Sequence, residues 1–314
     1  MTRTEQHVCM HYRPGRYVHL TDTLAIHRRG LFDPVMVIDG GTVWRALATD
    51  NGAVTLALRT QDDEIIVDAW AAPGTATEDI EQALDAVPDL CGAGDNDEGF
   101  AARQHPVVAA AAHKNPGLRL SSVSEPLEPL VAAILEQKVT TLQAYRAWRY
   151  VVSRYGSPAP GPTPRPLFAP PGVAQWRSVP SWEWHRAGVE PPQSRTIMRV
   201  MARGTRIAEA LRAADGGHEA ERILRGTVGV GVWTAAETRI RAHGDADAVS
   251  FGDYHLAHEI GYALTGCRTD DDGMRELLAP WAGHRQRVIR LLRLSGPRQE
   301  RRGARLAPQD HRRH

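Results

Sequence analysis

The chain has 314 residues, a length that suits two or three subdomains better than one ordinary core. Its apolar fraction of 42% suffices for a packed globular protein, and its net charge of +1 excludes a general electrostatic attraction to nucleic acid. The three cysteines are far apart, which argues against a disulfide framework and against a multi-cysteine zinc or iron–sulfur site. The N-terminus has no apolar signal segment and no stretch is long enough for a membrane span, so we expect a cytoplasmic protein.

Strand signals are concentrated in the first part of the chain. Residues 17–28, 35–49, 53–60 and 64–70 are rich in β-forming residues and are separated by Asp-Gly, Gly-Gly and Asn-Gly pairs. This pattern predicts a small antiparallel sheet built from hairpins. We assign it to an N-terminal β-rich domain, residues 1–75.

Helical periodicity dominates from residue 76 to 295. The proline-rich stretch 157–172 is too short for a linker between free domains and is predicted to be a rigid loop. The tail, 296–314, is rich in arginine and poor in apolar residues, which predicts disorder. The predicted fold class is therefore α+β, a small sheet followed by an all-helical body. The predicted helices cover residues 78–90, 106–114, 124–156, 172–179, 181–188, 191–214, 218–226, 232–244, 253–266, 271–281 and 284–294.

A short glycine-containing turn joins two of these helices. One helix ends near Gly226 and the next begins near Val232, so the predicted helix–hairpin–helix spans 219–243. We expect Gly229 and Gly231 to supply positive φ angles in the turn. Backbone N–H groups at the start of the second helix would then form a site for a phosphate. A dinucleotide-binding loop is disfavoured because a helix precedes the turn, whereas a hairpin that only packs stays open.

The hairpin resembles that of the helix–hairpin–helix DNA glycosylase superfamily, and most closely its 3-methyladenine DNA glycosylase II branch. That hairpin is usually Leu-Pro-Gly-Ile/Val-Gly, two residues and Thr-Ala; here residues 227–235 read TVGVGVWTA. The pair Asp253-Tyr254 matches the family's catalytic aspartate, at a similar spacing after Trp233. The segments PGLRL (116–120) and AILEQKV (133–139) and the N-terminal sheet extend the resemblance over about residues 17–295.

The resemblance implies a monofunctional enzyme that releases a base and leaves an abasic site. Relatives that also cut the strand carry a lysine where this chain has Trp233, and its only lysines, Lys114 and Lys138, lie outside the motif. The cysteines of an iron–sulfur cluster are absent, so no cofactor is expected, although the resemblance allows a monovalent cation on the hairpin carbonyls. Val228 replaces the usual proline, and Glu237 replaces an aromatic residue one turn after Trp233, which leaves the substrate base open.

Asp253 is the candidate catalytic residue. Cleavage of an N-glycosidic bond builds positive charge on the sugar, and a carboxylate can stabilise that charge and orient or deprotonate water. A protonated leaving group is unnecessary when the base is already cationic, as alkylated purines are. An aspartate at this position could instead only cap the following helix.

The remaining site residues are assigned to the flipped base and to DNA. A base within a duplex must be flipped out, and Trp233 is expected to be its aromatic platform. Gln137, Tyr254 and Glu237 complete the predicted substrate-binding set. The DNA-binding set is Thr227, Gly229, Gly231 and Thr234 of the hairpin together with Arg285, which could contact phosphate or pair with an acid.

Metal sites are disfavoured. His255, His258 and Glu259 have suggestive spacing, as do His7, Cys9 and His11, but neither set has a further ligand at a matching position, so no metal is expected.

We therefore predict a monomeric DNA-repair glycosylase of bacterial cytoplasm, bound to the nucleoid when on DNA. It would remove 3-methyladenine or 7-methylguanine from double-stranded DNA, with no membrane association. Two alternatives stay open: a non-catalytic DNA-binding protein with the same hairpin, and a glycosylase for another damaged base.

Overall fold

A five-stranded antiparallel sheet lies at the start of the computed structural model, which describes residues 6–49, 51–123, 125–214 and 216–298. The sheet order is β1-β5-β4-β3-β2, so neighbours along the chain pair as hairpins from β2 to β5. The predicted strands between residues 35 and 70 are thereby confirmed. The strands are β1 (Gln6–Tyr12), β2 (Met36–Asp39), β3 (Thr42–Ala48), β4 (Ala53–Gln61) and β5 (Glu64–Ala71).

The strand predicted at residues 17–28 is wrong. This segment forms helix α1 (Leu20–Leu24) and a 3-10 turn (Ala25–His27), and α1 packs on β3 and β4. Leu20 and Leu24 are buried on one side of α1, a helical spacing that the β-branched neighbours obscured. The first edge strand is β1 instead. It is mostly exposed, so it lacks the apolar alternation that indicates a strand.

Helices are the main secondary structure of the described chain after the sheet, which confirms the α+β class. None of these helices is long and apolar enough to cross a membrane. The tail assigned to disorder lies outside the described residues from 299 onward. The helices are α2 (Thr77–Asp85), α3 (Val87–Leu90), α4 (Pro106–Lys114), α5 (Leu127–Leu135), α6 (Thr141–Tyr155), α7 (Val173–Ser178), α8 (Ser181–Arg186), α9 (Pro191–Met201), α10 (Gly204–Ala213), α11 (Gly217–Arg225), α12 (Val232–Ala242), α13 (Leu256–Thr265), α14 (Asp271–Leu278) and α15 (Arg285–Ser295), with 3-10 turns at Ala102–Gln104 and Ala279–Trp281.

Both faces of the sheet are covered. Side chains alternate between the faces of a strand, and one set packs with α1, α2 and α3, beyond the predicted boundary at residue 75. The other set packs against the proline-rich segment, where β6 (Ser157–Pro158) pairs with β7 (Phe168–Ala169). The segment is thus the ordered connection that was predicted, although its short strands mean that the body is not wholly helical.

Helix α5 is the centre of the helical body. All of its residues are buried, and it packs against α6, α9, α10 and α12. Apart from Glu128, the helix is apolar all round because it has no solvent face. Its C-terminal end reaches the turn between α11 and α12, so α5 determines where that turn lies. A separate core under α13, α14 and α15 supports the chain that follows α12.

Candidate active site at the hairpin and Asp253

The predicted hairpin is confirmed in outline. Helix α11 ends at Arg225, α12 begins at Val232, and the amides of Thr227 and Val230 close two tight turns between them. Gly229 has φ +101°, as predicted. The prediction of positive φ for Gly231 is wrong, because Gly231 is extended (φ −93°, ψ −176°) and forms the N-cap of α12.

Gly229 is required for a second reason, its close approach to α9. A Cβ atom at this position would lie 2.2 Å from Oγ1 of Thr196. No such obstacle exists at Gly231, where a Cβ would meet open space. The two glycines therefore have different tasks: Gly229 permits the turn, and Gly231 keeps the surface of the turn free of a side chain.

The turn presents backbone amides to solvent. Gly229, Gly231 and Val232 are exposed, and the preceding Val228 is 73% exposed. The first N–H groups of a helix have no partner within it, and the helix dipole adds positive potential there. The turn can therefore accept an anionic oxygen without a lysine.

Gln137 fastens the hairpin to the end of α5. Its Nε2 donates to the carbonyl oxygen of Gly229 (2.9 Å) and to Oγ1 of Thr234 (2.8 Å). Gln193 holds Gln137 in turn, because its Nε2 donates to the carbonyls of Leu135 (2.9 Å) and Gln137 (3.0 Å). Gln137, assigned from the sequence to substrate binding, thus lies beside the hairpin, while the Thr234 side chain is 2% exposed and supports the turn from inside.

A buried arginine fixes the other end of the hairpin. Arg239 of α12 pairs with Asp245 (2.6 Å) and with Glu221 of α11 (2.8 Å). Asp245 also accepts a hydrogen bond from the backbone N–H of Gly217, at the start of α11. These charge-assisted contacts fix the angle between the two helices.

Asp253 follows a left-handed turn at Gly252 (φ +83°) and has its two oxygens in different roles. Oδ1 accepts the backbone N–H groups of His255 and Leu256, both at 2.9 Å. Oδ2 accepts the indole N–H of Trp233 at 3.1 Å. The capping role therefore uses one oxygen, and the second oxygen is directed to the hairpin helix.

Asp253 is an ionised carboxylate at neutral pH. Its partial burial raises the pKa, but the hydrogen bonds from His255, Trp233 and Leu256 stabilise the charged form and bring the pKa below the usual aspartate value. The carboxylate thus combines a fixed orientation with a retained negative charge.

Aromatic and acidic groups surround this carboxylate. Trp233 is half-buried, and Tyr254 is 81% exposed, in edge contact with His255. Glu237, one helical turn after Trp233, accepts hydrogen bonds from Arg241 (2.6 Å) and from the hydroxyl of Ser250. Arg241 is held in place through its Nε, which donates to the carbonyl of Ile26 (3.1 Å).

Glu136 is a site residue that the sequence reasoning did not assign. It caps the C-terminal end of α5, directly before Gln137, and is half-buried. Desolvation raises its pKa, and the nearby charges of Glu237 and Asp253 raise it further against the effect of Arg241 and Arg29. The only sequence signal for Glu136 was its position in AILEQKV. In that segment the substrate-binding role was assigned to the neighbouring Gln137 instead.

Arg285 pairs with an acid, one of the two roles considered for it. Its guanidinium makes a two-pronged contact with Asp247, with Nε to Oδ1 at 2.7 Å and Nη2 to Oδ2. The same Oδ1 accepts the backbone N–H of Gly283 (2.8 Å). This contact joins α15 to the loop after α12.

The suggestive histidines have other partners. A ring nitrogen of His258 lies 2.8 Å from the Thr269 carbonyl, and Glu259 pairs with Arg293. On β1, His7 contacts Asp68 and His11 contacts Glu64 across the strand pair. No group of three or more candidate ligands that could hold a metal ion occurs in the described part of the chain.

The resemblance also allows a monovalent cation on carbonyls of the hairpin. Two of these, from Thr227 and Gly229, already accept hydrogen bonds from the Val230 amide and from Gln137. Each carbonyl oxygen keeps a second lone pair. The chemistry proposed below does not depend on a cation.

Solved structures of known proteins share this fold. The structure is similar to a 3-methyladenine DNA glycosylase from Archaeoglobus fulgidus (TM-score 0.75, 17% identity), with 90% of this chain and 97% of that one covered. It is also similar to an 8-oxoguanine glycosylase/lyase from Clostridium acetobutylicum in its apo-form (TM-score 0.68, 10% identity, 92% and 96% covered). The same enzyme in complex with double-stranded DNA containing cytosine opposite 8-oxoguanine matches with a TM-score of 0.64 at 11% identity, covering 88% of this chain and 92% of that one.

No protein-family model matches the sequence, and no curated protein sequence matches it significantly. At identities of 10–17% the structural likeness establishes the fold, which extends over almost the whole chain. The chain has the same overall fold as these DNA glycosylase structures, which agrees with the fold that the resemblance implies.

Proposed function

We propose that this protein is a DNA glycosylase that removes alkylated purines by hydrolysis of the N-glycosidic bond. The observation that carries the proposal is the contact between Trp233 and Asp253, which holds an ionised carboxylate against the hairpin helix. The shared fold, with relatives described as DNA glycosylases, supports the same conclusion.

The hairpin turn, Trp233 and Asp253 have separate roles in the proposed reaction. Amides of the turn at Gly229 and Gly231 bind a backbone phosphate and hold the duplex while the damaged nucleotide is flipped out. Trp233 offers its face to the base. Asp253 stabilises the positive charge that develops on the sugar and orients the attacking water, and the base leaves without an added proton when it is already cationic.

Hydrolysis rather than strand cleavage follows from the residue at position 233. The amine nucleophile of strand-cutting relatives would stand there, and tryptophan offers no amine. The 8-oxoguanine enzymes among the structural relatives favour a test of an oxidised base beside the alkylated ones.

The test is base release from duplexes containing 3-methyladenine, 7-methylguanine or 8-oxoguanine by the wild type and by Asp253→Asn. Asparagine retains an oxygen for the capping amides but lacks the charge, so we expect release of an alkylated base to fall by at least about 10²-fold, with duplex binding retained. Equal rates for the two proteins would exclude the assigned role of Asp253. Tight duplex binding with no release by the wild type would favour the non-catalytic alternative.

A further inference from the structure

The charges beside Asp253 are paired with one exception. Glu237 has Arg241 and Ser250, and Asp253 has two backbone amides and Trp233. The carboxylate of Glu136 has no hydrogen bond or ion pair with any residue that the structure describes, although its backbone N–H donates to the carbonyl of Ala132.

The position of Glu136 is unfavourable for a carboxylate in the free protein. It caps the C-terminal end of α5, where the helix dipole is negative, and it is half-buried beside an apolar helix. A carboxylate that only improves solubility would lie on an open surface and would avoid both costs.

Five charged or titratable groups from four parts of the chain lie within electrostatic reach of Glu136: Arg241 and Glu237 on α12, Asp253 before α13, Arg29 after α1 and Tyr145 on α6. Arg29 is committed to Glu128 and Arg241 to Glu237, so neither neutralises Glu136. The free protein thus holds an acidic group that lacks a donor and a positive partner.

We propose that Glu136 determines base specificity, with its carboxylate accepting N–H donors from a positively charged purine in the site. This rests on the proposed function and names the substrate class of the same site. A 7-methylguanine supplies what Glu136 lacks, because its N1–H and exocyclic amine donate side by side to a carboxylate and its ring carries positive charge. A neutral base supplies N–H donors but no positive charge, so the negative charge of Glu136 is not neutralised.

The surroundings of Glu136 in the free protein predict how base release depends on pH. The pKa of Glu136 is raised, so the carboxyl is protonated to a higher pH than an ordinary glutamate. A cationic base prefers the ionised form. Release of 7-methylguanine should therefore rise with pH through the raised pKa of Glu136, whereas release of neutral hypoxanthine, which shares the N1–H donor, should not.

The experiment compares single-turnover release of 7-methylguanine and hypoxanthine by the wild type, Glu136→Gln and Glu209→Gln, at pH values where the alkylated base keeps its charge. Glu209 is an exposed carboxylate on α10 and serves as the charge-matched control. For Glu136→Gln we expect release of 7-methylguanine to fall about tenfold or more, with little change for hypoxanthine and with the pH-dependent rise lost. Glu209→Gln should behave as the wild type.

The outcomes separate the two proposals. If the wild type releases no alkylated base, the proposed function fails. If it releases 7-methylguanine and Glu136→Gln has the same rate, selectivity and pH profile, only the role of Glu136 fails. Should Glu136→Gln fold poorly, the wild type alone decides, because identical pH profiles for the two bases would overturn the inference.

Discussion

At the scale of single residues, the geometry of Asp253 accommodates both helix capping and the proposed catalytic role, which the sequence presented as alternatives. The N-capping interpretation and the catalytic one assumed that the carboxylate could serve only one of them. In the structure Oδ1 caps α13 and Oδ2 is bonded to Trp233. Capping therefore also orients Oδ2, the oxygen directed to Trp233, since the two amides fix the plane of the carboxylate.

Replacement of Trp233 by phenylalanine tests how the charge of Asp253 is maintained. Phe keeps an aromatic face and removes the N–H donor, so the lowered pKa of Asp253 should rise toward the usual aspartate value. Activity requires the ionised form and is lost as pH falls through this pKa. The acid limb of the rate profile should therefore move to higher pH in Trp233→Phe.

The measurement is single-turnover release of hypoxanthine across the acid range, corrected for release without enzyme; this neutral base is used because the profile for 7-methylguanine is expected to depend on Glu136 as well. Tyr254→Phe is the matched control, because it removes a hydroxyl from an exposed neighbour that makes no contact with the carboxylate in the described structure. An unshifted limb in Trp233→Phe would show that the indole N–H does not control the ionisation of Asp253.

At the scale of elements, the hairpin depends on packing from outside itself. Its turn packs closely against Thr196 of α9. A hydrogen bond from Gln137 joins the turn to the end of α5. Helix α5 itself is held by a buried core on all sides. The turn can therefore keep exposed, unpaired amides in a fixed arrangement, which a free loop would not.

Two alanine variants, Gly229→Ala and Gly231→Ala, test separately whether a glycine is needed to form the turn and whether it is needed to let a phosphate approach. Alanine at 229 would have a disfavoured φ and a Cβ clash with Thr196, so we expect a loss of about 1–3 kcal/mol in unfolding free energy together with weaker DNA binding. Alanine at 231 has an allowed conformation and open space, so thermal stability should be kept while its methyl group hinders a phosphate. Thermal unfolding and duplex affinity of both variants give the test, and equal stabilities would contradict the assignment.

The sequence predicted the hairpin and the position of Asp253 because both depend on local signals. Glycines, helix ends and the spacing to Asp253 are visible in one dimension. The positive φ of Gly231 was wrong because Val232 can begin a helix after an extended residue. Glu136 was missed because its significance is the absence of a partner, which only tertiary structure reveals. The strand at 17–28 was wrong because burial against the sheet outweighed local β propensity.

At the scale of the whole molecule, a buried set of charges joins the sheet to the helical body. Glu128 of α5 pairs with Arg45 of β3 (2.6 Å) and with Arg29 of the loop after α1 (3.1 Å), and all three side chains are buried. Arg29 also lies over the ring of Trp148 on α6, 4.5 Å from its centroid. The helix that positions the hairpin is thus fixed to the sheet through one carboxylate.

Glu128→Gln should therefore destabilise the whole chain. Glutamine keeps the shape and removes the charge, which leaves two buried arginines uncompensated, so we expect a loss of about 3–5 kcal/mol and a fall in Tm on the order of 10 °C. Glu183→Gln is the matched control, since Glu183 also pairs with two arginines, but both guanidinium groups are exposed and stay hydrated when the carboxylate is removed, so we expect a smaller loss. Similar losses in the two variants would contradict the structural role of Glu128.

The pH dependence of the unfolding free energy gives a second test of the role of Glu128. Desolvation raises the pKa of Glu128, but Arg45 and Arg29 outweigh it and hold the pKa below the usual glutamate value. A group with a lowered folded-state pKa contributes stability above its unfolded pKa of about 4.3 and loses that contribution as pH falls through the folded pKa. The difference in unfolding free energy between wild type and Glu128→Gln should thus be constant near neutral pH and shrink only in acid, as measured by denaturant unfolding at each pH. A difference that grows in acid would mean that Glu128 is protonated in the folded protein and does not neutralise the two arginines.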